Sequence, residues 1–206
     1  MNRVSAIIAV LAGGLTLGLA IGQDALAATN KLSGNDLIKE LQSGGYVIYI
    51  RHAQTEKDYA DQVSAEMGNC STQRTLSEAG WEEARAIGAA FMVHQIPVGK
   101  VISSEYCRAW QTADLAFGRY LKSPALNFEP AEEYSDAQFS AMRERTLPYL
   151  STLPDQGLNT VVVGHDDPFE AATGTYPEPM GVAFVVKPDG SGGFEIVGNI
   201  APNDWF

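Results

Sequence analysis

Tyr46-Val47-Ile48-Tyr49-Ile50-Arg51-His52-Ala53-Gln54-Thr55 is the stretch on which the fold turns. Its first five residues are β-formers with no charge among them, and Gly44-Gly45 precedes them. That pattern predicts a strand buried on both faces, as in parallel sheets covered by helices. Arg51 and His52 are then delivered to the strand's C-terminal edge, where open α/β sheets bind their ligands. Residues 53–74 are polar and irregular and predict a long loop over that edge.

Outward from this strand the chain alternates. Ser33 or Asn35 can cap a short helix through Asp36, Leu37, Ile38 and Leu41, ended by the glycine pair. Leu76-Ser77-Glu78-Ala79-Gly80 opens a second helix, with Trp81, Ala84, Ile87, Gly88 and Phe91 on one face, and Pro97 lies beyond its end. Val101-Ile102 predicts a buried strand ending at Ser103-Ser104, and Glu105 to Tyr120 a helix. Ser135 to Leu153 predicts a further helix, interrupted or shifted near Pro148. Thr160-Val161-Val162-Val163 is a third buried strand, ending at Gly164-His165. Val182–Lys187 and Phe194–Val197 are strands about a Pro188-Asp189-Gly190 turn. The expected fold is a three-layer α/β/α sandwich with a mostly parallel central sheet. Three apolar strands then end at Arg51-His52, Ser103-Ser104 and Gly164-His165, on one edge of that sheet.

Charge narrows the partners. The 206-residue chain carries a net charge of −11, so no basic surface is available to nucleic acid. An anionic substrate has to be drawn in by a local arginine cluster against the field of the whole protein. Residues 1–27 read as an export signal: Arg3, an uncharged run from Val4 to Gly22, and the cleavage pattern Ala25-Leu26-Ala27. Cleavage leaves residues 28–206 as one domain, periplasmic or secreted, with no stable membrane insertion. An uncleaved anchor is the competing reading, weakened by Gly13, Gly14, Thr16 and Gly18 in the apolar run. No cysteine directly follows that run, and Arg3 is not part of an arginine pair. Cys70 and Cys107 are the two cysteines, and an oxidising compartment favours a structural bridge between them. Neither has an arginine six positions on, as a cysteine phosphatase loop requires.

The residues at the strand ends suit phosphoryl chemistry. A histidine nucleophile has to be neutral and oriented through its other ring nitrogen, and guanidinium forks suit the non-bridging oxygens. Arg51, His52, Arg108 and His165 meet those needs in composition. Arg51-His52-Ala53-Gln54-Thr55 resembles the signature of the histidine phosphatase superfamily, with its phosphoglycerate-mutase-like fold. Leu76–Gly80, Ser103-Ser104-Glu105-Tyr106-Cys107-Arg108-Ala109 with Thr112, and Val162-Val163-Gly164-His165 are similar to its later segments, in order. The resemblance runs from about residue 46 to residue 166. It implies that His52 is phosphorylated, that Arg51, Arg108 and His165 form the phosphate pocket, and that Thr55, a substrate-binding position, closes the motif and helps order the loop. It implies a small phosphorylated substrate and no cofactor or metal. His94 reads as a surface histidine.

The leaving group needs a proton donor. His165-Asp166 is similar to the His-Asp pair of the acid phosphatase branch, which implies Asp166; Glu132 or Glu133 is the alternative. Asp167 follows at once, and two successive carboxylates cannot both point inward. Arg74 is a loop residue or a substrate contact. If Cys70 and Cys107 pair, they tie that loop beside Arg108. The mutase segment rich in Glu, Arg and Gly is missing, and Glu129-Pro130-Ala131-Glu132-Glu133 stands there instead. The function expected is an exported phosphatase of phosphomonoesters, envelope lipopolysaccharide phosphate being one substrate subtype. A catalytically idle relative that binds phosphorylated ligands is the alternative.

Overall fold

Strand β1 (Val47–Arg51) is buried along its whole length. The computed structural model describes residues 32, 34–56, 65–131 and 133–206; residues 1–27, read above as an export signal, lie outside the described residues, as do Ser33 and Glu132. Strand β4 (Asn159–Gly164) lies parallel to β1, with Ile50 opposite Val163 and Arg51 opposite Gly164. Strand β5 (Ala183–Pro188) flanks β1 on the other side, antiparallel. With β2 (Val98–Ser103), β3 (Leu121–Lys122) and β6 (Phe194–Ile200), the sheet order is β3-β2-β4-β1-β5-β6. Pairing is parallel from β3 to β1 and antiparallel through β5 and β6.

Alternation along the strands divides the core in two. Ile48, Ile50, Val161 and Val163 face one way, toward α1 (Gly34–Gln42), α2 (Glu78–Val93) and α3 (Cys107–Phe117). Val47, Tyr49 and Val162 face the other, toward α4 (Asp136–Ser151) and α5 (Asp166–Thr173). The result is the expected three-layer sandwich. Solvent is excluded from both faces of β1, so the residues at its end are set by a rigid element.

Several boundaries differ from the pattern. α3 starts at Cys107 and stops before Gly118, whose positive φ ends the helix. α4 runs unbroken through Pro148, with Ser135 and Gln138 closing a reciprocal cap at its start. α5 was not expected at all; it is two turns long, with too few apolar residues to show a period. His94 is not a free surface histidine. It caps α2, half-buried, and its Nε2 lies 2.6 Å from the carbonyl oxygen of Trp205, which can only accept, so the ring nitrogen donates. Trp205 in turn is buried against Phe91.

Candidate active site

Backbone bonds stitch the three strand ends together. His52 N donates to Gly164 O at 3.0 Å, and Ser104 N donates to Val163 O at 3.0 Å. Gly181 N donates to the carbonyl oxygens of both Arg51 and His52, which brings the segment before β5 over the same edge. Behind the His52 loop, α2 begins so close to Gln54 that a Cβ at Gly80 would collide with the Gln54 carbonyl. Thr112 adds a second brace: its Oγ1 accepts from Ala53 N at 3.0 Å and donates to Arg108 O at 2.7 Å.

His52 is fully buried, and its tautomer follows from its partners. Nδ1 lies 2.9 Å from Ala53 O, which can only accept, so Nδ1 carries the proton. Nε2 then keeps its lone pair, and Arg108 Nε–H points at it from 3.1 Å. Burial, and then the guanidinium of Arg108, push the imidazole pKa well below its usual 6.5, with Arg51 and Arg74 adding to the effect. The ring is therefore neutral at physiological pH, as a nucleophile requires.

His165 stands with its ring centre 5.5 Å from that of His52. Its Nε2 lies 2.8 Å from Ser104 Oγ. Asn127 decides the proton: its Nδ2 donates to Glu105 Oε2 at 2.9 Å, while its Oδ1 accepts from Ser104 Oγ–H at 2.8 Å. Ser104 thus has no proton left for His165, so Nε2–H of His165 donates and Nδ1 is bare. That Nδ1 is buried without a hydrogen-bond partner among the described residues. Burial first, then Arg108 and His52, hold the His165 pKa well below 6.5. Tyr106 and Phe128 stand edge-on to the ring and carry the Arg108 guanidinium over their faces at 5.4 and 5.0 Å.

Arg51 is held by two partners. Its Nη1 donates to Pro177 O at 3.0 Å and its Nη2 to Asp166 Oδ2 at 2.7 Å. The same Asp166 oxygen accepts from Tyr176 at 2.6 Å. Burial acts to raise the Asp166 pKa, but Arg51 and Tyr176 outweigh it and hold the carboxyl below its usual value. The expected acid is therefore in the site, ionised and bound to Arg51. Asp167 behaves differently: it accepts from Tyr134 at 2.9 Å, and burial next to the Asp166 charge pushes it up to about 6.

The remaining expectations divide. Thr55 is buried, and its hydroxyl donates to Met180 Sδ at 3.6 Å, which ties it to the segment before β5. Cys70 and Cys107 are bridged, with Cα atoms 5.7 Å apart. Gln73 reinforces that link, accepting from Cys107 N at 2.7 Å. Arg74, next to it, is half-buried, and its charge helps hold both histidines below their usual pKa. Glu129 is ion-paired with Arg145 at 2.6 Å, and Glu133 is exposed. Among the described residues no cluster of His, Cys, Asp and Glu could hold a metal ion. Asn127, Tyr134, Tyr176 and Pro177 were not anticipated, since each sits in an irregular segment with no period or motif.

The model of the histidine phosphatase superfamily (branch 1) matches residues 47–126. No curated protein matches the sequence significantly. Among solved structures, the protein histidine phosphatase SixA complexed with tungstate is similar at 17% identity and a TM-score of 0.53, over 78% of this chain and 99% of that one. A phosphoserine phosphatase mutant from Entamoeba histolytica, in complex with phosphoserine, is similar at 12% identity and a TM-score of 0.55, over 78% of this chain and 99% of that one. At these identities the likeness is one of fold.

Proposed function

We propose, from the premise that this chain belongs to the histidine phosphatase superfamily, that it is an exported phosphomonoesterase whose His52 Nε2 takes up the phosphoryl group. The observation that carries this reading is the fixed tautomer of His52, with its lone pair on Nε2 inside an arginine-rich pocket. In the free protein Arg108 Nε–H occupies that lone pair. A phosphate oxygen is the stronger acceptor for a guanidinium, so substrate binding turns Arg108 to the phosphate and frees Nε2 in one exchange. Arg51, with Arg74 from the bridged loop, supplies further positive charge for the three equatorial oxygens in the transition state.

The chemistry has two steps. Nε2 attacks phosphorus and the ester P–O bond breaks, leaving phosphohistidine and an alkoxide that takes up a proton as it departs. Water then attacks phosphorus, the P–N bond breaks, and inorganic phosphate leaves with His52 restored. His165 begins with a bare Nδ1; once a phosphate dianion is beside it, a proton there becomes favourable and makes it a donor to a phosphoryl oxygen.

Location outside the cytoplasm is supported by Val4–Gly22 with Ala25-Leu26-Ala27, and by the use of both cysteines in one bridge. Such a location gives access to scavenged phosphate esters and to phosphorylated envelope sugars, lipopolysaccharide phosphate among them. The test is phosphate release from sugar phosphates, phosphoserine, phosphohistidine and lipopolysaccharide, with His52→Ala beside the wild type. Release that disappears in His52→Ala supports the reading. No release from any of these, with phosphate bound equally by both proteins, would make the chain a binding protein instead.

A further inference from the structure

The two carboxylates after His165 have different partners, and the difference bears on how the leaving group is protonated. Asp166 is held by Arg51 on one side and by Tyr176 on the other, both contacts on Oδ2. A carboxylate that neutralises the phosphate-binding arginine is ionised when substrate arrives and has no proton to give. Among the described residues, Asp167 has one hydrogen-bond partner, the neutral Tyr134 hydroxyl. Tyr134 packs against the cluster of Tyr106 and Phe128, whose rings stand edge-on to His165. The Asp167–Tyr134 pair therefore borders the aromatic wall of the pocket, in the first turn of α5 and two residues from His165.

Resting on the phosphatase reading, we infer that Asp167, held by Tyr134, is the proton donor to the departing alkoxide, and that Asp166 positions Arg51. As Nε2 of His52 forms its bond to phosphorus and the ester P–O bond breaks, the Asp167 carboxyl gives its proton to the leaving oxygen and becomes a carboxylate. In the second step that carboxylate takes a proton from the attacking water, so the proton inventory closes over one turnover. The groups facing Asp167 are Asp166 and Glu170 on its own helix, Tyr134 from the segment before α4, and Arg51 from β1. Burial and the two carboxylates keep its proton on; Tyr134 and Arg51 act to remove it. The balance lies at about 6, in the range where a group can both hold a proton and release it near neutrality.

The experiment compares an alkyl phosphate, whose alkoxide needs a proton to leave, with an aryl phosphate, whose phenolate does not. Asp167→Asn is expected to lose about 10²- to 10⁴-fold in kcat on the alkyl ester and less than about tenfold on the aryl ester. The fall of alkyl ester turnover above about pH 6 should vanish with it. Tyr134→Phe keeps the carboxyl but removes the bond that favours its ionised form, so this fall should move to higher pH. That shift also serves as the readout if Asp167→Asn folds poorly. Asp166→Asn should raise KM and leave the fall in place. Equal losses on both esters in Asp167→Asn, an unshifted profile in Tyr134→Phe, or loss of the fall in Asp166→Asn would overturn the assignment. A wild-type protein that hydrolyses neither ester refutes the phosphatase reading itself, a result distinguishable from all of these.

Discussion

His52 and His165 end neighbouring strands, are equally buried and lie ring against ring, yet they carry their protons on opposite nitrogens. At the end of β1, the Ala53 carbonyl takes the proton of Nδ1 and leaves Nε2 bare. At the end of β4, Ser104 takes the proton of Nε2 and leaves Nδ1 bare, because Asn127 has already claimed the serine's own proton. Burial and the arginines make both rings neutral; the hydrogen bond at the far nitrogen gives each a different task. One presents a lone pair beside Arg108, and the other an empty position for a proton that only a bound anion would favour.

The sharpest way to break this contrast is to remove each ring. His52→Ala should lower turnover by on the order of 10⁴-fold or more, because it removes the proposed nucleophile. His165→Ala should cost about 10²- to 10³-fold in kcat, the scale of losing one donor to a developing charge. Equal losses in steady-state assays would mean that the two rings are not specialised in this way.

The next test concerns stability on the His52 side. Cys70 and Cys107, 37 positions apart in the chain, close a loop and tie it to the helix that carries Arg108. Replacing both by serine should lower the unfolding free energy by about 3–4 kcal/mol in urea titrations. It should also raise KM, since Arg74 and Arg108 lose their common anchor.

Acid titration sharpens the comparison further. The unfolded histidines bind protons as pH falls through 6.5, whereas the folded ones stay neutral to well below it. The unfolded state then holds more protons, so this contribution to stability declines as pH drops below 6.5 toward the folded values. Asp167, raised to about 6, works the other way, losing stability as pH rises through that value. The difference between wild type and His165→Gln isolates the histidine part: its urea midpoint should fall less steeply between pH 7 and 5. A parallel pair of curves would refute the neutral, buried assignment. The smallest effect belongs to Tyr49, whose hydroxyl accepts from His165 N at 3.0 Å and donates to His165 O at 2.7 Å. Tyr49→Phe should cost about 1–2 kcal/mol in thermal or urea unfolding.

Much of this could be read before any coordinates. Val47–Ile50 and Thr160–Val163 are unbroken β-former runs, and burial on two faces leaves few other arrangements, so the strand ends and their histidines followed directly. Arg108 rested on the resemblance of Ser103–Ala109 and not on helical spacing, because the chain between Ser104 and α3 is not helical. What could not be read were contacts that cross between irregular segments. Asn127, Tyr134 and Tyr176 carry no period, and their partners lie between 10 and 33 residues away. The roles of Asp166 and Asp167 were hidden for the same reason: adjacent identical residues differ only in what faces them. α5 escaped because two turns are too short to set an amphipathic stripe, although Pro168 in its first turn and Gly174 after its end are the usual markers.

Gly164 has no side chain, and the space where its Cβ would stand is filled by the phenol of Tyr49. The two positions are 115 residues apart in the chain but share one volume, so they are expected to change together among homologues and in mutant libraries. Any residue larger than glycine at 164 needs a smaller one at 49, and that exchange removes the hydroxyl holding both backbone groups of His165. A selection that randomises 164 alone should return only glycine, whereas one at 49 alone should return tyrosine with some phenylalanine. One that randomises both should recover soluble pairs with a weakened second histidine, separating heritable constraint on packing from constraint on chemistry.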